Sequence, residues 1–175
     1  MPASSSGSLQ LEFHGCCNDV PIIRSQSPAS SVEVSIVTHG ALSDLRVLDL
    51  TQMLAGPLCT QFLADQGATV IKVESPGGDG IRHAGPFRPD DEMRAFGGYF
   101  ASVNRNKLSL SLDLKDERGK AVLRRLAAGC DVLVENFRAG VMERLGLAYE
   151  VLREDNPALV YAAIRGFGDP RTGES

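Results

Sequence analysis

The sequence predicts an α/β fold in which helices flank an open, twisted sheet of parallel strands. Short apolar runs alternate along the chain with segments whose apolar residues recur at helical spacing. The first strand, helix and strand form a βαβ unit, and crossovers of this kind almost always lie in a parallel sheet. The 175 residues are 43% hydrophobic and 23% charged, which is ordinary for one globular domain.

The first βαβ unit opens the predicted domain. Residues 46–50 form an apolar strand that leads to the turn-prone segment Ala55-Gly56-Pro57. Proline is favoured just inside a helix start, and the apolar residues that follow recur at helical spacing as far as Gly67, which fits a left-handed cap. The β-branched residues within 69–74 predict the second strand. Residues 76–89 are rich in glycine and proline and therefore predict a loop.

The second half of the chain continues the alternation of strands and helices. Residues 107–115 place leucine at every second position, which predicts a half-buried strand with one apolar and one polar face. Asp116 can cap the helix that follows, and Gly129 can end it. The remaining predicted elements are a strand at 131–135, helices at 140–145 and 149–155, and a buried last strand at 159–164.

Residues 1–40 differ from the rest of the chain and predict a flexible, low-complexity leader before a domain at 41–175. Serine-rich stretches dominate this leader. Weak alternation over residues 32–37 is compatible with a short strand. We therefore expect function to reside in the domain that follows.

Composition disfavours several classes of partner and site. The formal net charge of -4 provides no overall basic field for a nucleic acid or an anionic membrane, and no apolar run reaches membrane-spanning length. The spacing of the histidines and cysteines fits no metal site, and four cysteines form no disulfide framework in a chain of this length. The N-terminus lacks the pattern of a secretory signal, so we expect a cytoplasmic protein.

Ligands of open parallel sheets bind where loops leave the carboxyl ends of the strands. Three segments have this position: residues 51–57, 135–140 and 165–168. Neither G-x-G-x-x-G nor G-x-x-x-x-G-K-[ST] is present, so a Rossmann dehydrogenase and a P-loop NTPase are disfavoured. The Gly-Pro pair of the first segment lets backbone N–H groups face a ligand at a helix start, although a plain tight turn is the simpler interpretation.

The second and third segments offer side chains suited to a phosphorylated ligand. Asn136 carries an amide that donates and accepts, and the ring of Phe137 can stack on a base. The guanidinium groups of Arg138 and Arg144 match the geometry of a phosphate. The simpler interpretation is that Phe137 lies in the core and that the two arginines are solvated at the surface. Arg138 is better explained as a solvated surface residue, whereas a phosphate contact and a solvated surface position explain Arg144 equally well. Arg165 follows a strand expected to be buried, so we expect an anionic partner, either a ligand or a neighbouring carboxylate.

Two further groups of charged residues have open interpretations. Arg105, Lys107 and Lys115 either meet phosphates or solvate the strand at 107–115. Glu74 and Glu135 both end predicted strands. A site with paired carboxylates is one explanation of the two glutamates, and structural capping is the simpler one.

Eight short segments follow one another between residues 45 and 168. They are VLDLT followed by AGP within 47–57, LADQGA followed by VIKVE within 63–74, NRNK at 104–107, LDLK at 112–115, DVLVENF at 131–137 and GFG at 166–168. Together they resemble family III CoA-transferases, the CaiB/BaiF family, which includes formyl-CoA transferase. Each segment is weak alone, and the specificity lies in their common order and spacing.

The resemblance implies a Rossmann-like domain that binds coenzyme A (CoA), within a larger interlocked-dimer fold of which this chain is an N-terminal portion. Ala55, Gly56 and Pro57 would lie near the pantetheine arm of CoA. The other CoA-binding residues implied by the family positions are Lys115, Asn136, Phe137, Arg144 and Arg165. Some members carry an arginine directly after the strand-ending glutamate, where this chain has Ser75, which weakens the expectation of a phosphate or adenine contact there.

The implied reaction moves CoA from an acyl-CoA to a carboxylic acid through an aspartyl anhydride and an enzyme–CoA thioester. The nucleophilic aspartate is expected C-terminal to Ser175, so this span alone is expected to bind CoA without turnover. A homodimer is implied, with CoA as substrate and carrier and without a metal.

Three alternatives to the transferase remain open. An α-methylacyl-CoA racemase belongs to the same family, although residues 104–107 and 134–137 favour the transferases. A non-catalytic CoA-binding fragment is the alternative of another class. An unrelated α/β regulatory domain would require the segment matches to be coincidental.

Overall fold

The computed structural model describes residues 13–15 and 40–166, which form one six-stranded sheet with helices on both faces. The strands are β1 (Phe13–Gly15), β2 (Arg46–Asp49), β3 (Thr69–Glu74), β4 (Lys107–Ser111), β5 (Val132–Glu135) and β6 (Val160–Ala163). The helices are α1 (Ala55–Asp65), α2 (Gly98–Asn104), α3 (Glu117–Ala128), α4 (Val141–Leu145) and α5 (Tyr149–Asp155), with a 3-10 helix at Gly80–His83.

The strand order places a topological switch point at the centre of the sheet. The order is β1-β4-β3-β2-β5-β6, and β2 to β6 are mutually parallel. The chain passes from β2 through α1 to β3 on one side, and later returns to β5 on the other side of β2. The predicted open parallel α/β sheet is confirmed, and its carboxyl edge between β2 and β5 is where such folds form a ligand crevice.

Alternation along the strands divides the core between the two faces of the sheet. Leu48 and Leu133 belong to the larger cluster, together with Leu123 of α3 and Leu152 of α5. Val47 belongs to the smaller cluster on the opposite face, where Ala64 of α1, Val70 and Val134 pack. A third cluster joins Phe100 and Val103 of α2 to Ile81 of the 3-10 helix. Helices therefore bury both faces of β2 and β3.

Local signals at element ends correspond to the structure. Gly67 has φ +100° directly after α1, and Gly146 has φ +69° directly after α4, as left-handed caps require. The Asp116 side chain accepts a hydrogen bond from the Arg118 N–H at the start of α3. The strand expected at residues 69–74 and the helix expected at 149–155 have the predicted bounds.

Two strands differ from their predictions. β4 ends at Ser111 rather than near residue 115, and its polar face is buried, since Lys107 and Ser109 are 2% and 8% exposed. The polar residues of this strand meet buried partners instead of water, and alternation cannot distinguish these environments. β6 is not buried, because it lies at the edge of the described sheet with Val160 58% exposed. Helix α2, residues 98–104, was not predicted from the sequence.

β1 is a short strand within residues expected to form the leader. Phe13–Gly15 pairs antiparallel with β4 at the sheet edge, which the sequence did not predict. The strand considered at residues 32–37 lies outside the described residues. The division between a leader at 1–40 and a domain at 41–175 stays a prediction.

Candidate functional site

Two loops meet at the carboxyl edge of the switch point: loop 51–54, between β2 and α1, and loop 136–140, between β5 and α4. The side chain of Asn136 joins them. Its Oδ1 accepts from the Gln52 N–H at 2.8 Å, and its Nδ2 donates to the Gln52 carbonyl at 2.8 Å. This paired bond holds the two loops together at the switch point, where open parallel sheets bind their ligands, and the space beside the two loops is called the crevice below.

Loop 51–54 leads into α1 through a close contact between Thr51 and Gly56. A Cβ at Gly56 would lie 2.3 Å from the Thr51 Cβ, so glycine is required for this approach. The Thr51 N–H and hydroxyl donate to Asp49 Oδ1 at 2.9 and 2.5 Å. No side chain caps α1, which leaves N–H groups of its first turn at the crevice without a side-chain acceptor.

Two apolar side chains lie exposed on loop 51–54. Met53 is 56% exposed and Leu54 is 47% exposed, although most large apolar side chains of the described chain are buried. Met53 also has φ +69°, a left-handed conformation that is unusual for a residue with a Cβ. The crevice therefore combines backbone N–H groups with two exposed apolar side chains. This combination suits a ligand with polar and apolar parts.

A buried network of charges lies behind the crevice. Asp49 accepts hydrogen bonds from Thr60 Oγ1 at 2.6 Å and from Lys107 Nζ at 2.9 Å. Lys107 also donates to the Pro57 carbonyl and to Asn104 Oδ1. Burial lowers the pKa of the Lys107 ammonium, and the charge of Asp49 opposes that shift. The network thus connects β2 and β4 to the first turn of α1.

A second part of the network reaches loop 51–54 directly. Lys72 Nζ donates to the Thr51 carbonyl at 2.8 Å and to Asp79 Oδ2 at 3.2 Å, and both charged side chains are 1% exposed. Asp79 accepts in turn from the Met53 N–H at 3.3 Å. Two buried charged side chains therefore bond to the backbone of this loop.

The network also includes a third ion pair, between Arg82 and Glu74. Arg82 Nη2 and Nε donate to the Glu74 carboxylate at 2.5 and 2.6 Å, and the Arg82 guanidinium lies 3.8 Å from the centroid of the Phe100 ring. Ser109 Oγ and the Asp79 N–H also donate to Glu74. Glu74 is a structural acceptor here.

Acidification is expected to destabilise the fold through Glu74. Burial alone would raise the pKa of Glu74, but the hydrogen bond and charge of Arg82 outweigh burial, so the pKa lies below its ordinary value of 4.5. As the pH falls, a proton therefore binds the unfolded chain first. The contribution of Glu74 is complete above the ordinary pKa and is lost as the pH falls through the lower pKa of the fold.

Urea denaturation between about pH 3 and 6 measures this dependence. Glu74→Gln is expected to flatten the rise of unfolding free energy with pH, whereas Glu92→Gln, at an exposed position, should leave it unchanged. Equal slopes for Glu74→Gln and the unsubstituted chain would contradict the assignment.

Glu135 and Arg165 form a separate pair on the opposite face of the sheet. Arg165 Nη2 and Nη1 donate to the two Glu135 oxygens at 2.6 and 3.0 Å, and Glu135 is fully buried. The Phe137 N–H donates to Glu135 at 2.8 Å. Burial raises the pKa of the Tyr161 hydroxyl, and the adjacent Glu135 charge raises it further. The anionic partner expected for Arg165 is thus a neighbouring carboxylate, and β6 before it is an exposed edge strand.

The structure brings only some of the predicted site residues together. Ala55, Gly56 and Pro57 form the first turn of α1 beside loop 136–140, where Asn136 bonds to Gln52. Phe137 is half-buried and packs against the larger core cluster, as the simpler interpretation of this residue held.

The predicted basic residues do not gather at one site, although the Arg144 N–H donates to the carbonyl of Gly140 in loop 136–140. Lys115 is exposed between β4 and α3. Arg144 is exposed on α4, at a shallow groove of about 420 Å³ whose lining also includes Lys120 and Arg124 of α3. Arg105 is exposed and pairs with Asp65 at 2.6 Å. Lys107 is buried on Asp49, so both interpretations given to it from sequence, a phosphate contact and a solvated charge, are wrong.

Sequence reasoning missed the charges behind the crevice: Asp49, Lys72, Asp79 and Lys107. A signal was present, because Lys72 interrupts an otherwise apolar β-branched strand and an isolated charge in such a strand needs a buried partner. Asp79 gave no signal of its own, since it lies in the glycine-rich segment predicted as loop.

The described residues contain no group of three or more His, Cys, Asp or Glu placed to hold a metal ion. Within 13–15 and 40–166, no helix has the length and apolar character needed to cross a membrane. Cys59 and Cys130 are free thiols.

Comparison with known proteins links this geometry to one family. Residues 42–175 match the family described as CoA-transferase family III. The chain is 60% identical over 136 residues to the succinyl-CoA:mesaconate CoA-transferase of Haloarcula hispanica, covering 78% of this chain and 34% of that protein. It is 46% identical over 128 residues to the formyl-CoA:oxalate CoA-transferase of Afipia carboxidovorans, covering 73% and 30%.

A solved structure has the same fold. The crystal structure of a CAIB/BAIF family protein from Brucella suis superposes with a TM-score of 0.70 at 46% identity, over 74% of this chain and 34% of that one. The chain spans about a third of the length of these relatives.

Proposed function

The chain belongs to CoA-transferase family III, as the sequence predicted, and we propose that it forms the CoA-binding part of an enzyme that moves CoA between an acyl-CoA and a carboxylic acid. The observation that carries the proposal is the crevice at the switch point, where Asn136 joins the loop before α1 to the loop after β5. The names of the relatives pair an acyl-CoA with a carboxylic acid, which favours transfer over α-methylacyl racemisation.

In this proposal the crevice holds the pantetheine arm. Ala55, Gly56 and Pro57 present the N-terminal turn of α1 to the amide oxygens of the arm, and the apolar Met53 and Leu54 contact its methylene groups. Asn136 acts mainly through its bond to Gln52, since both ends of its amide are engaged there.

The phosphates of CoA would be met by basic residues outside the crevice. Lys115 and Arg144 are exposed and free to contact a ligand phosphate. Arg165 has its charge engaged with Glu135, so its contribution is expected to be smaller. Phe137 is half-buried against the larger core cluster, so in this proposal it mainly supports loop 136–140.

The proposed reaction is a double exchange of acyl groups. An aspartate carboxylate attacks the acyl-CoA thioester and displaces the CoA thiolate, which gives a mixed anhydride. The thiolate then attacks the aspartyl carbonyl and releases the donor acid, which leaves an enzyme–CoA thioester. The acceptor acid reverses both steps.

The proposed nucleophile lies C-terminal to Ser175. The carboxylates that lie near the crevice in the described part of the chain support this placement. Asp49, Glu74, Asp79 and Glu135 are buried, and cations or backbone N–H groups occupy their oxygens. A carboxylate held in this way cannot approach a thioester without breaking its ion pair.

The proposal extends to the assembly and location of the whole protein. We expect a homodimer, with CoA and carboxylic acids as the small-molecule partners. The free thiols of Cys59 and Cys130 suit a reducing cytoplasm.

Calorimetric titration of the purified 175-residue chain with CoA tests the proposal. We expect saturable binding that weakens with dephospho-CoA, which lacks the 3′-phosphate. Arg144→Gln and Lys115→Gln should each weaken CoA binding by about tenfold to a hundredfold, because a hydrogen bond to a charged group contributes about 1.5–3 kcal/mol. Arg125→Gln, at an exposed position on α3, is the matched control and should bind as the unsubstituted chain does. Absence of binding by a chain with a folded circular dichroism spectrum would contradict the proposal.

A further inference from the structure

Loop 51–54 is held in a conformation that its own sequence does not favour. Met53 has φ +69°, and a residue with a Cβ in this region costs about 1–3 kcal/mol. Such a conformation persists only where surrounding contacts over-determine it. Three consecutive residues of the loop are bonded through their backbone, each to a side chain from elsewhere in the fold.

These contacts come from three directions. The Thr51 carbonyl accepts from Lys72 Nζ of β3 at 2.8 Å. The Gln52 N–H and carbonyl pair with Asn136 of the neighbouring loop. The Met53 N–H donates to Asp79 at 3.3 Å. Lys72 and Asp79 are themselves an ion pair of 3.2 Å, so two of the three anchors form one unit.

The ion pair is poorly explained by stability alone. Both side chains are 1% exposed, and removing two charges from water costs about as much as their attraction returns. A well-packed apolar pair in the same place is often as stable or more stable. An apolar pair, however, could not bond the Thr51 carbonyl and the Met53 N–H.

We propose that Lys72 and Asp79 are positioning residues that fix loop 51–54, with Met53 in its left-handed conformation, and thereby set the affinity of the crevice for CoA. The inference rests on the proposed function as far as the ligand is concerned. Neither side chain reaches the ligand, since both lie buried behind the loop. Their effect passes through the backbone of Thr51 and Met53 and through the side chains that these residues present.

The double variant Lys72→Met/Asp79→Leu tests this role, because it removes both bonds to the loop backbone without leaving a buried charge unpaired. The control is Arg105→Met/Asp65→Asn, which neutralises an ion pair at the C-terminal end of α1, away from loop 51–54. Two quantities are measured for each folded variant: the exchange rates of the Gln52 and Met53 amide protons, and the dissociation constant for CoA. If Lys72→Met/Asp79→Leu fails to fold, Lys72→Met/Asp79→Asn replaces it, because asparagine keeps the size of Asp79.

Positioning predicts a specific pattern. In Lys72→Met/Asp79→Leu the Met53 amide should exchange faster, and CoA binding should weaken by about tenfold to a hundredfold because the loop is misplaced. The control should leave both the exchange rates and the CoA affinity unchanged. Unaltered exchange at Met53, or unaltered CoA affinity despite faster exchange, would overturn the inference, as would an equal loss of affinity in the control.

The outcomes separate this inference from the proposed function. If the unsubstituted chain binds no CoA, the proposed function fails and the claim about affinity fails with it. Exchange at Met53 then still decides whether Lys72 and Asp79 fix the loop. If the unsubstituted chain binds CoA and the double variant binds equally well, the positioning role fails and the proposed function stands.

Discussion

Replacing Lys107 with methionine is expected to lower the free energy of unfolding by about 3–5 kcal/mol. The ammonium of Lys107 is 1% exposed and lies 2.9 Å from Asp49, which is fully buried. Its removal leaves an uncompensated carboxylate behind the crevice, and it also removes the donor to the Pro57 carbonyl and to Asn104. Chemical denaturation of the purified chain measures the loss.

A double-mutant cycle isolates the ionic part of this loss. In Lys107→Met/Asp49→Asn no charge remains unpaired, so we expect the double variant to lose less than the sum of the single variants. Lys115→Met replaces an exposed lysine and should change stability by no more than about 0.5 kcal/mol. Additive losses, or an equal loss from Lys115→Met, would show that the buried pair does not govern stability here.

Replacing Gly56 with alanine is expected to destabilise the chain by about 1–3 kcal/mol and to abolish measurable CoA binding. Helix propensity alone predicts the opposite, since alanine is favoured over glycine within a helix by about 1 kcal/mol. The steric clash is expected to outweigh the helix propensity and make the substitution destabilising, because the new Cβ would lie 2.3 Å from the Thr51 Cβ and 2.5 Å from its methyl group. Thr51 cannot move away easily, since its N–H and hydroxyl are bonded to Asp49.

Gly80→Ala is the matched control for this prediction. Gly80 also lies in a helical turn, but nothing lies within 4 Å of a Cβ built there. This variant should keep its stability and its CoA affinity. Thermal denaturation and calorimetric titration of both variants separate the two effects. A Gly56→Ala variant as stable as the unsubstituted chain would mean that α1 can shift away from Thr51 without cost.

The conformation of most helices and strands follows from patterns within short segments. The β-branched run at 69–74 and the capping residue Asp116 were correctly interpreted, because strand propensity and helix capping act over a few residues. The parallel order of the strands followed from the βαβ rule. Ala55-Gly56-Pro57 and Asn136 were placed at the carboxyl edge for the same reason, since loops that leave parallel strands share one edge.

Only the tertiary structure decided what each polar side chain on these elements meets. Lys107 and Ser109 form a polar face that the sequence assigned to water, and the fold places buried carboxylates beside them. Asn136 was considered for ligand contact, yet its amide bonds to Gln52, 84 residues earlier in the chain. Arg165 had two candidate partners, and Glu135 proved to be the one that it meets.

The sequence by itself determined the family, the parallel direction of the strands and the edge at which a ligand is expected. The fold determined the anchoring of that edge by Lys72, Asp79 and Asn136. Hydrophobic periodicity lies within one helix or strand, so the sequence of that element is enough to reveal it. The partner of a buried charge comes from another element, and the distance between the two exists only after the chain has packed.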